Sequence, residues 1–242
     1  QKGRTAGQAL MDAAIALSKT DVVRLLVARG YPLAAERDSY HHGDVPGAIR
    51  EATLALLREG GAQSLSLREA ARRVGVNHRA VYRHFADKRA LLAAIAQEGY
   101  EMLAVALRSG VDSRGSSDPV ERFVALGEAY LRFARREPER YEVMFGPRLN
   151  VDGKFPELEA AIIAAVSVLQ TEIQQVAPAV PGMRRRDAGV AFWSAIHGFS
   201  SLVLVGRVPL KEAHLERYVG VLLRPLATGL IAALQAEPRA LG

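Results

Sequence analysis

The sequence predicts an all-α protein, and both its composition and the spacing of its apolar residues lead to this fold class. Of the 242 residues, 49% are hydrophobic and 24% are charged, while aromatic side chains make up only 6%. This balance favours a folded helical chain over a disordered one. Apolar residues recur with helical spacing, and residues that cap or stop helices lie at the ends of these segments. The length allows one large domain or two small ones.

The same composition excludes several classes of protein. The chain has no cysteine, which excludes a disulfide framework, thiol catalysis and cysteine-ligated zinc. No run of about 18 uncharged apolar residues and no charged-then-apolar leader is present. We therefore expect a soluble, cytoplasmic protein without a membrane partner. Because the first residue is Gln1, a mature exported protein remains an alternative.

Residues 1–40 are predicted to form an N-terminal helical extension with a linker. Apolar residues keep helical spacing here, Thr20-Asp21 is a cap signal, and Gly30 with Pro32 ends the second helix. The run DVVRLLVARGYPLAA faintly resembles one ankyrin repeat. A single repeat cannot bury its own apolar face, which favours a helical hairpin packed on the main body.

Residues 41–88 are predicted to form a unit of three helices. The first begins at Asp44 and stops at Gly60-Gly61. Ser66 caps the second, with Glu69 completing a capping box, and Gly75 permits a tight turn. Asn77 caps the short third helix. Apolar side chains predicted to face inward on these helices are Ile49, Ala52, Leu56, Leu57, Leu67, Ala70, Ala71, Val74, Val81 and Phe85.

Positive charge is concentrated in the second half of this unit. The stretch from Ser66 to Leu92 has a net charge of +5, against a formal +6 for the whole chain. Cations on two short helices joined by a glycine turn are typical of proteins that bind a phosphate backbone and place a helix in a groove. The pattern predicts double-stranded DNA as a partner. The alternative is an ordinary solvated cationic face.

The same stretch resembles the helix-turn-helix of the TetR (tetracycline repressor) family of bacterial transcription regulators. The residues that match the family pattern are Gly75, Val76, Tyr82, Phe85, Lys88, Leu91 and Leu92. The sequence departs from that pattern at Asn77, Arg79, Ala80 and His84. Asn is as good a cap as Ser or Thr, so the departures bear on the bases read and not on the fold.

This resemblance implies which side chains contact DNA. The expected DNA-binding residues are Ser66, Asn77, His78, Arg79, Tyr82, Arg83, His84 and Lys88. Arg79 is suited to donate two hydrogen bonds to a guanine edge, whereas Tyr82 and His84 are suited to a phosphate or a thymine methyl. Lys88 has charge and backbone amides beside it for a phosphate.

Residues 89–242 are predicted to form an effector-binding and dimerisation domain. A long helix is expected from Asp87 to about Ser109, followed by a Ser/Gly-rich loop over Gly110–Ser117. Further helices are expected to start at Asp118-Pro119, Glu137-Pro138 and Pro156. The triple cation Arg184–Arg186 is interpreted as a solvated helix entry, with a second nucleic-acid patch as the alternative.

The last two long helices are apolar on nearly all sides, which predicts that they are covered on all sides. One side then packs within the domain and the other on a second copy, giving a homodimer with a twofold four-helix interface. Pro225 is expected to kink the final helix or shift its register. The Trp193-x-x-x-His197-Gly198 spacing resembles a signature of one C-terminal subgroup of TetR regulators.

Aromatic and sulfur side chains are candidates for an effector cavity in this domain. The predicted lining residues are Tyr130, Phe133, Tyr141, Met144, Phe145, Trp193 and His197. Such residues at helical spacing are also common in cores, and the favoured alternative for His197 is a core histidine bonded to a backbone carbonyl.

No signal for catalysis or a resident cofactor is present. The sequence contains no P-loop, no G-x-S-x-G elbow and no H-E-x-x-H, and no two of its six histidines have i,i+4 spacing for a metal. His41-His42 are interpreted as part of an exposed linker. We therefore expect a non-enzymatic, ligand-responsive DNA-binding regulator that binds a palindromic operator. Proteins of this architecture are most often repressors. The alternatives are an all-helical enzyme or small-molecule carrier, and a general nucleoid or protein-interaction module.

Overall fold

The structure is a computed structural model that describes residues 44–61, 65–211 and 214–236, and these residues form helices and short connections without any strand. The helices are α1 Val45–Gly60, α2 Leu67–Val74, α3 His78–His84, α4 Lys88–Arg114, α5 Pro119–Arg136, α6 Pro138–Phe145, α7 Pro156–Val176, α8 Gly182–Leu204, α9 Leu215–Tyr218 and α10 Arg224–Gln235. The all-α prediction is confirmed for these ranges. The predicted N-terminal extension and His41-His42 lie outside the described residues.

The chain divides into two compact units by its internal contacts. Among the described residues, one unit contains those of 44–100 and Glu137–Ile162, and the other contains Glu101–Arg136 and those of 163–236. The helix-turn-helix unit is the first of these, and it includes α6 and the start of α7 as well as α1–α3. The domain boundaries predicted from the sequence, 41–88 and 89–242, stay predictions.

The helix-turn-helix unit is built around one apolar cluster to which α1, α2, α3 and α4 contribute. The predicted inward residues Ile49 and Val81 are fully buried there, and so is Leu91 of α4. The α1 helix begins where Asp44 accepts a hydrogen bond from the Gly47 N–H at 2.9 Å, with Pro46 in the first turn. Gly61 ends it in the left-handed region at φ 65°.

The prediction that the long helix stops near Ser109 is wrong, because α4 continues to Arg114. Gly110 does not break the helix. A Cβ at that position would lie 2.7 Å from the Ala129 Cβ, so glycine serves a close helix–helix contact. The stop is Gly115, at φ 61°. The loop is therefore shorter than the predicted Gly110–Ser117.

The second unit packs α5 against both α8 and α10. Phe123 and Phe192 meet edge to face with their ring centres 5.3 Å apart. Gly127 lies so close to Leu223 that a Cβ would approach its side chain to 2.7 Å. The predicted disturbance at Pro225 is present as a π-helical segment, Val219–Leu223, directly before α10.

The three arginines at the start of α8 are bonded within the unit. Arg184 donates to the backbone carbonyls of Ala233 and Ala236 at 3.1 and 3.2 Å, near the end of α10. Arg185 donates to the Pro178 and Val180 carbonyls, and Arg186 to Asp187. These bonds favour the structural interpretation of this triple cation over a second nucleic-acid patch.

One helix in the described ranges, α4, is long and apolar enough to cross a membrane by length and composition alone. In its most apolar stretch of 18 residues, 56% of the residues are buried within the protein. Core helices of soluble proteins share both properties, so this feature is weak evidence for a membrane span.

Candidate nucleic-acid interface

Local capping and turn chemistry fix the geometry of the two helices of the helix-turn-helix. The Ser66 hydroxyl accepts a hydrogen bond from the Glu69 N–H at 3.1 Å and so caps α2. Gly75 ends α2 in the left-handed region at φ 75°. Asn77 accepts from the Arg79 N–H at 2.9 Å and caps α3. These contacts set the angle at which α3 leaves α2.

Buried side chains hold α3 from one side and leave its other side in solvent. Val81 is fully buried and Phe85 is 6% exposed, as their i,i+4 spacing predicts. The side chains predicted to contact DNA are all exposed: Ser66, Asn77, His78, Arg79, Tyr82, Arg83, His84 and Lys88. These side chains form an exposed polar face that includes the aromatic Tyr82, which is 47% exposed.

Ion pairs divide the cations of this stretch into two groups. Arg72 binds Glu69 through two hydrogen bonds, and Arg73 binds Glu59 in the same way. Hydrogen bonds from these arginines lower the pKa of both glutamates. Both arginines are therefore already paired with carboxylates.

A third cation is also paired. Arg89 donates to Asp152 at 2.8 Å, and this hydrogen bond lowers the Asp152 pKa to about 2. Among the residues that the structure describes, Arg79 and Arg83 have no ion-pair or hydrogen-bond partner for their side chains. The charge available to a phosphate backbone is thus smaller than the sequence count, and Arg79 and Arg83 of α3 contribute to it.

The prediction from the sequence omits the exposed cation Arg68 and overstates the contacts of Glu69. Arg68 is exposed in the first turn of α2, without an ion pair to the described residues, yet it is absent from the predicted set. The signal that identifies Arg68 is its position on α2, outside the inward side that Leu67, Ala70 and Ala71 form. The predicted capping box is only half formed, because Glu69 binds Arg72 instead of returning to the Ser66 N–H.

The start of α4 also differs in detail from the expectation for a phosphate site. Asp87 accepts a hydrogen bond from the Ala90 N–H at 2.7 Å and so occupies one of the first-turn amides. Lys88, the first residue of α4, is exposed. Its ammonium group, more than the neighbouring Ala90 amide, is suited to a phosphate.

A buried arginine ties the helix-turn-helix to α6 within the same unit. Arg140 on α6 is 2% exposed, and its guanidinium donates to Glu98 at 2.8 Å, to Glu137 at 3.0 Å and to Glu51 on α1. Burial lowers the Arg140 pKa, but these carboxylates outweigh burial and raise it. Arg58 on α1 binds Glu139 on α6 at 2.7 Å. The sequence carried no signal for this network.

The candidate effector residues fall into two groups. In one unit the Tyr130 hydroxyl and His197 Nδ1 are hydrogen-bonded at 2.9 Å, and Trp193 Nε1 donates to the same hydroxyl at 3.4 Å. Burial lowers the His197 pKa. His197 thus has a side-chain partner in Tyr130, and the favoured interpretation, a core histidine bonded to a backbone carbonyl, stays a prediction. Phe133 is also buried in this unit.

The other group surrounds Tyr100 in the helix-turn-helix unit. The Tyr100 hydroxyl donates to the Met144 carbonyl at 3.0 Å, and Phe145 meets the Tyr100 ring edge to face. Tyr141 packs on Phe145 with ring centres 4.7 Å apart. In the described ranges no three histidine, aspartate or glutamate side chains come together as a metal site.

Two family models match the chain. The model described as "Bacterial regulatory proteins, tetR family" matches residues 49–95, which include the whole helix-turn-helix. The model described as "Tetracyclin repressor-like, C-terminal domain" matches residues 123–226. Together they cover more than half of the chain.

Individual relatives agree with these matches. An uncharacterised HTH-type transcriptional regulator of Mycobacterium tuberculosis is 26% identical over 159 residues, covering 66% of this chain and 70% of the relative. The class A tetracycline repressor from transposon 1721, in Escherichia coli, is 46% identical over 52 residues, covering 22% of this chain and 24% of that repressor.

A solved structure shares the fold. A protein of unknown function from Rhodococcus sp. RHA1 is 27% identical and has a TM-score of 0.66. The match covers 81% of this chain and 100% of that protein. Family models, relatives and fold agree with the exposed basic face on α2 and α3. The chain belongs to the TetR family of bacterial regulatory proteins, which are non-enzymatic, DNA-binding transcription regulators.

Proposed function

We propose that this protein is a homodimeric, cytoplasmic repressor that binds a palindromic operator and is released from it by a small-molecule effector. The observation that carries the proposal is the exposed face of α3, where Arg79 and Arg83 have no ion-pair partner among the described residues. Guanidinium groups without a carboxylate partner on a rigid, capped helix are available to base edges and phosphates.

The proposed contacts divide into base reading and positioning. Arg79, near the start of α3, reads a guanine through two hydrogen bonds. Tyr82 and His84 contact a phosphate or a thymine methyl, and Lys88 contacts a phosphate at the start of α4. His78 and Arg83 complete the face, while Ser66 and Asn77 lie at its edge and cap the helices.

The test compares two alanine variants on a selected operator and on a scrambled site. The operator is first obtained by selection from a random DNA pool. Arg79→Ala is expected to lose about 1–3 kcal/mol of discrimination at one base pair. Lys88→Ala is expected to weaken both sites alike and to reduce the slope of log affinity against log salt by about 1.

A matched control is available in the same helix-turn-helix. Arg72 is exposed but held by Glu69, so Arg72→Ala is expected to change discrimination little. Equal effects of Arg79→Ala and Lys88→Ala on both sites would contradict the division into reading and positioning. Binding of wild type without any operator preference would instead identify a general nucleoid protein.

The proposed dimer surface is the outer side of α8 and of the segment that leads into α10. Trp193 is 39% exposed, Leu202 48% and Val221 70%, although Phe192 and Ile196 of the same α8 helix are buried. Large apolar side chains on an exposed face are typical of surfaces that bind a second molecule. A twofold axis there pairs the last two helices of both copies.

Mass measurement by analytical ultracentrifugation tests this surface. Wild type is expected to be a dimer at micromolar concentration, and Leu202→Glu with Val221→Glu is expected to be a folded monomer. Val151→Glu is the control, because Val151 is 66% exposed and lies in the other unit. A wild-type monomer that does not assemble on DNA would refute the twofold proposal.

The proposed response to an effector acts through α4, which begins directly after the helix-turn-helix. A ligand in the 89–242 domain, near Tyr130, Trp193 and His197, moves α4 and takes the two α3 helices off the 34–36 Å spacing of successive major grooves. The ligand must prefer the non-binding spacing by the coupling energy, commonly about 1–3 kcal/mol. Operator titrations with and without candidate ligands measure this coupling.

A further inference from the structure

A crevice between α4 and α7 contains a guanidinium group without a partner. Arg108 on α4 lines this crevice together with Ser167 and Thr171 on α7. The Arg108 Nη2 atom is buried and has no hydrogen-bond partner. Buried polar atoms nearly always have a partner, and an unsatisfied charged donor is costly. The crevice therefore lacks an acceptor that Arg108 requires.

The neighbouring polar groups do not supply this acceptor. Both oxygens of Glu172 are held by Arg122, at 2.7 and 2.8 Å. The Ser167 hydroxyl donates to the Ala164 carbonyl, and the Thr171 hydroxyl donates to the Ser167 carbonyl. Each of these groups is already engaged, so none of them accepts a hydrogen bond from the Arg108 Nη2 atom.

One carboxylate lies at the rim of the crevice. Asp112 is exposed to solvent, one helical turn from Arg108. Burial lowers the Arg108 pKa, and the charge of Asp112 opposes this effect. The inner walls are apolar, since Val111 is 2% exposed and Val168 7% exposed. The crevice thus combines one partly buried cation, apolar walls and a negatively charged rim.

We propose that this crevice binds the carboxylate of a small, singly charged organic acid, with Arg108 as the donor. A planar guanidinium matches a carboxylate in geometry and charge. The apolar walls suit a short alkyl chain, which an inorganic anion lacks. Asp112 repels a doubly charged phosphate more strongly than a single carboxylate.

Calorimetric titration of the full chain with sodium butyrate tests this site. Butyramide has the same shape without the charge and is the ligand control, and sodium chloride at equal ionic strength controls for salt. Butyrate is expected to bind one site per protomer, and Arg108→Met is expected to bind it at least tenfold more weakly. Equal binding of butyrate and butyramide, or unchanged binding by Arg108→Met, would overturn the proposal.

A second variant keeps the test decisive if Arg108→Met does not fold. Asp112 is exposed, so Asp112→Asn is expected to fold normally, and removal of its charge is expected to strengthen butyrate binding about threefold to tenfold. Unchanged or weaker binding by Asp112→Asn would count against the site. No saturable butyrate binding by the wild type would leave only a hydration site around Arg108 and would refute the proposal.

A regulatory role for this crevice rests on the proposed function, and a separate measurement addresses it. If the crevice is an effector site, butyrate is expected to weaken operator binding by wild type and not by Arg108→Met. Butyrate binding without an effect on operator affinity supports the carboxylate site and refutes its role in release. Operator binding measured in the absence of any ligand tests the DNA-binding proposal alone.

Discussion

Replacement of Arg140 by methionine is expected to destabilise the helix-turn-helix unit more than any loss of a surface ion pair. Methionine keeps much of the length of the side chain but removes the guanidinium. In wild type that group is 2% exposed and donates to Glu98, Glu137 and Glu51. The variant therefore leaves carboxylates from three helical segments facing one another, and among the described residues only Glu98 keeps an ion-pair partner, Arg50, at 3.3 Å.

The expected loss follows from the exposure of the three carboxylates. Removal of one partner of a fully buried ion pair costs about 3–5 kcal/mol. The Glu51 side chain is 67% exposed, so water solvates it and its loss adds little. The Glu98 and Glu137 side chains are 22% and 30% exposed. We therefore expect a loss of about 2–4 kcal/mol, which begins below the range for fully buried pairs because water reaches these carboxylates.

Urea denaturation at fixed protein concentration measures this loss, because the stability of the proposed dimer depends on concentration. Arg58→Met is the matched control, since Arg58 also joins α1 to α6, through Glu139, but its side chain is 67% exposed. The control is expected to change the free energy of unfolding little. Equal losses in the two variants would show that burial of Arg140 does not determine its contribution, and the reasoning would be wrong.

Three other outcomes are expected. Burial lowers the His197 pKa from 6.5, so the unfolded chain binds more protons, and stability should fall as the pH drops below 6.5. His197→Gln should lack this component in thermal melts between pH 5 and 8; an unchanged profile would argue against it. The pKa of Glu139, lowered from 4.5 by the Arg58 hydrogen bond, implies stability that is fully present above pH 4.5 and lost on further acidification. Arg58→Met should reduce that acid-dependent loss, and an identical acid profile would exclude the pair as its source. Gly110→Ala should lower the melting temperature, because overpacking costs about 1–3 kcal/mol; a rise would show that α4 and α5 can separate without cost.

The sequence predicted the helix-turn-helix well because its signals are local. Ser66, Gly75 and Asn77 act through backbone groups within a few residues, and their spacing alone places the caps and the turn. The inward and outward sides of α3 follow from the helical period around Val81 and Phe85. Most of the predicted interface could therefore be assigned before any tertiary contact was known.

Features that depend on distant residues could not be predicted in this way. Gly110 has the same local signature as a helix stop, but its contact with Ala129 comes from another helix. Arg73 and Arg89 contribute to the cationic stretch in sequence, yet their partners Glu59 and Asp152 lie outside it. The partners of Arg140 are likewise spread over positions 51 to 137. Pairing across such separations has no periodic signal in a single sequence.

The π-helical segment before α10 has a consequence for the apolar stripe that follows it. Buried residues recur there at every fourth position: Val219, Leu223, Ala227 and Ile231. In an ideal α-helix of 3.6 residues per turn, a step of four positions advances by about 40° beyond a full circle. A π-helical turn contains more residues than an α-helical turn, so a step of four positions across Val219–Leu223 advances by a smaller angle. The segment therefore offsets the drift of the buried positions around the helix. The widened turn keeps the buried residues facing α5 and, for the same reason, keeps Val221 on the opposite, solvent side of the segment.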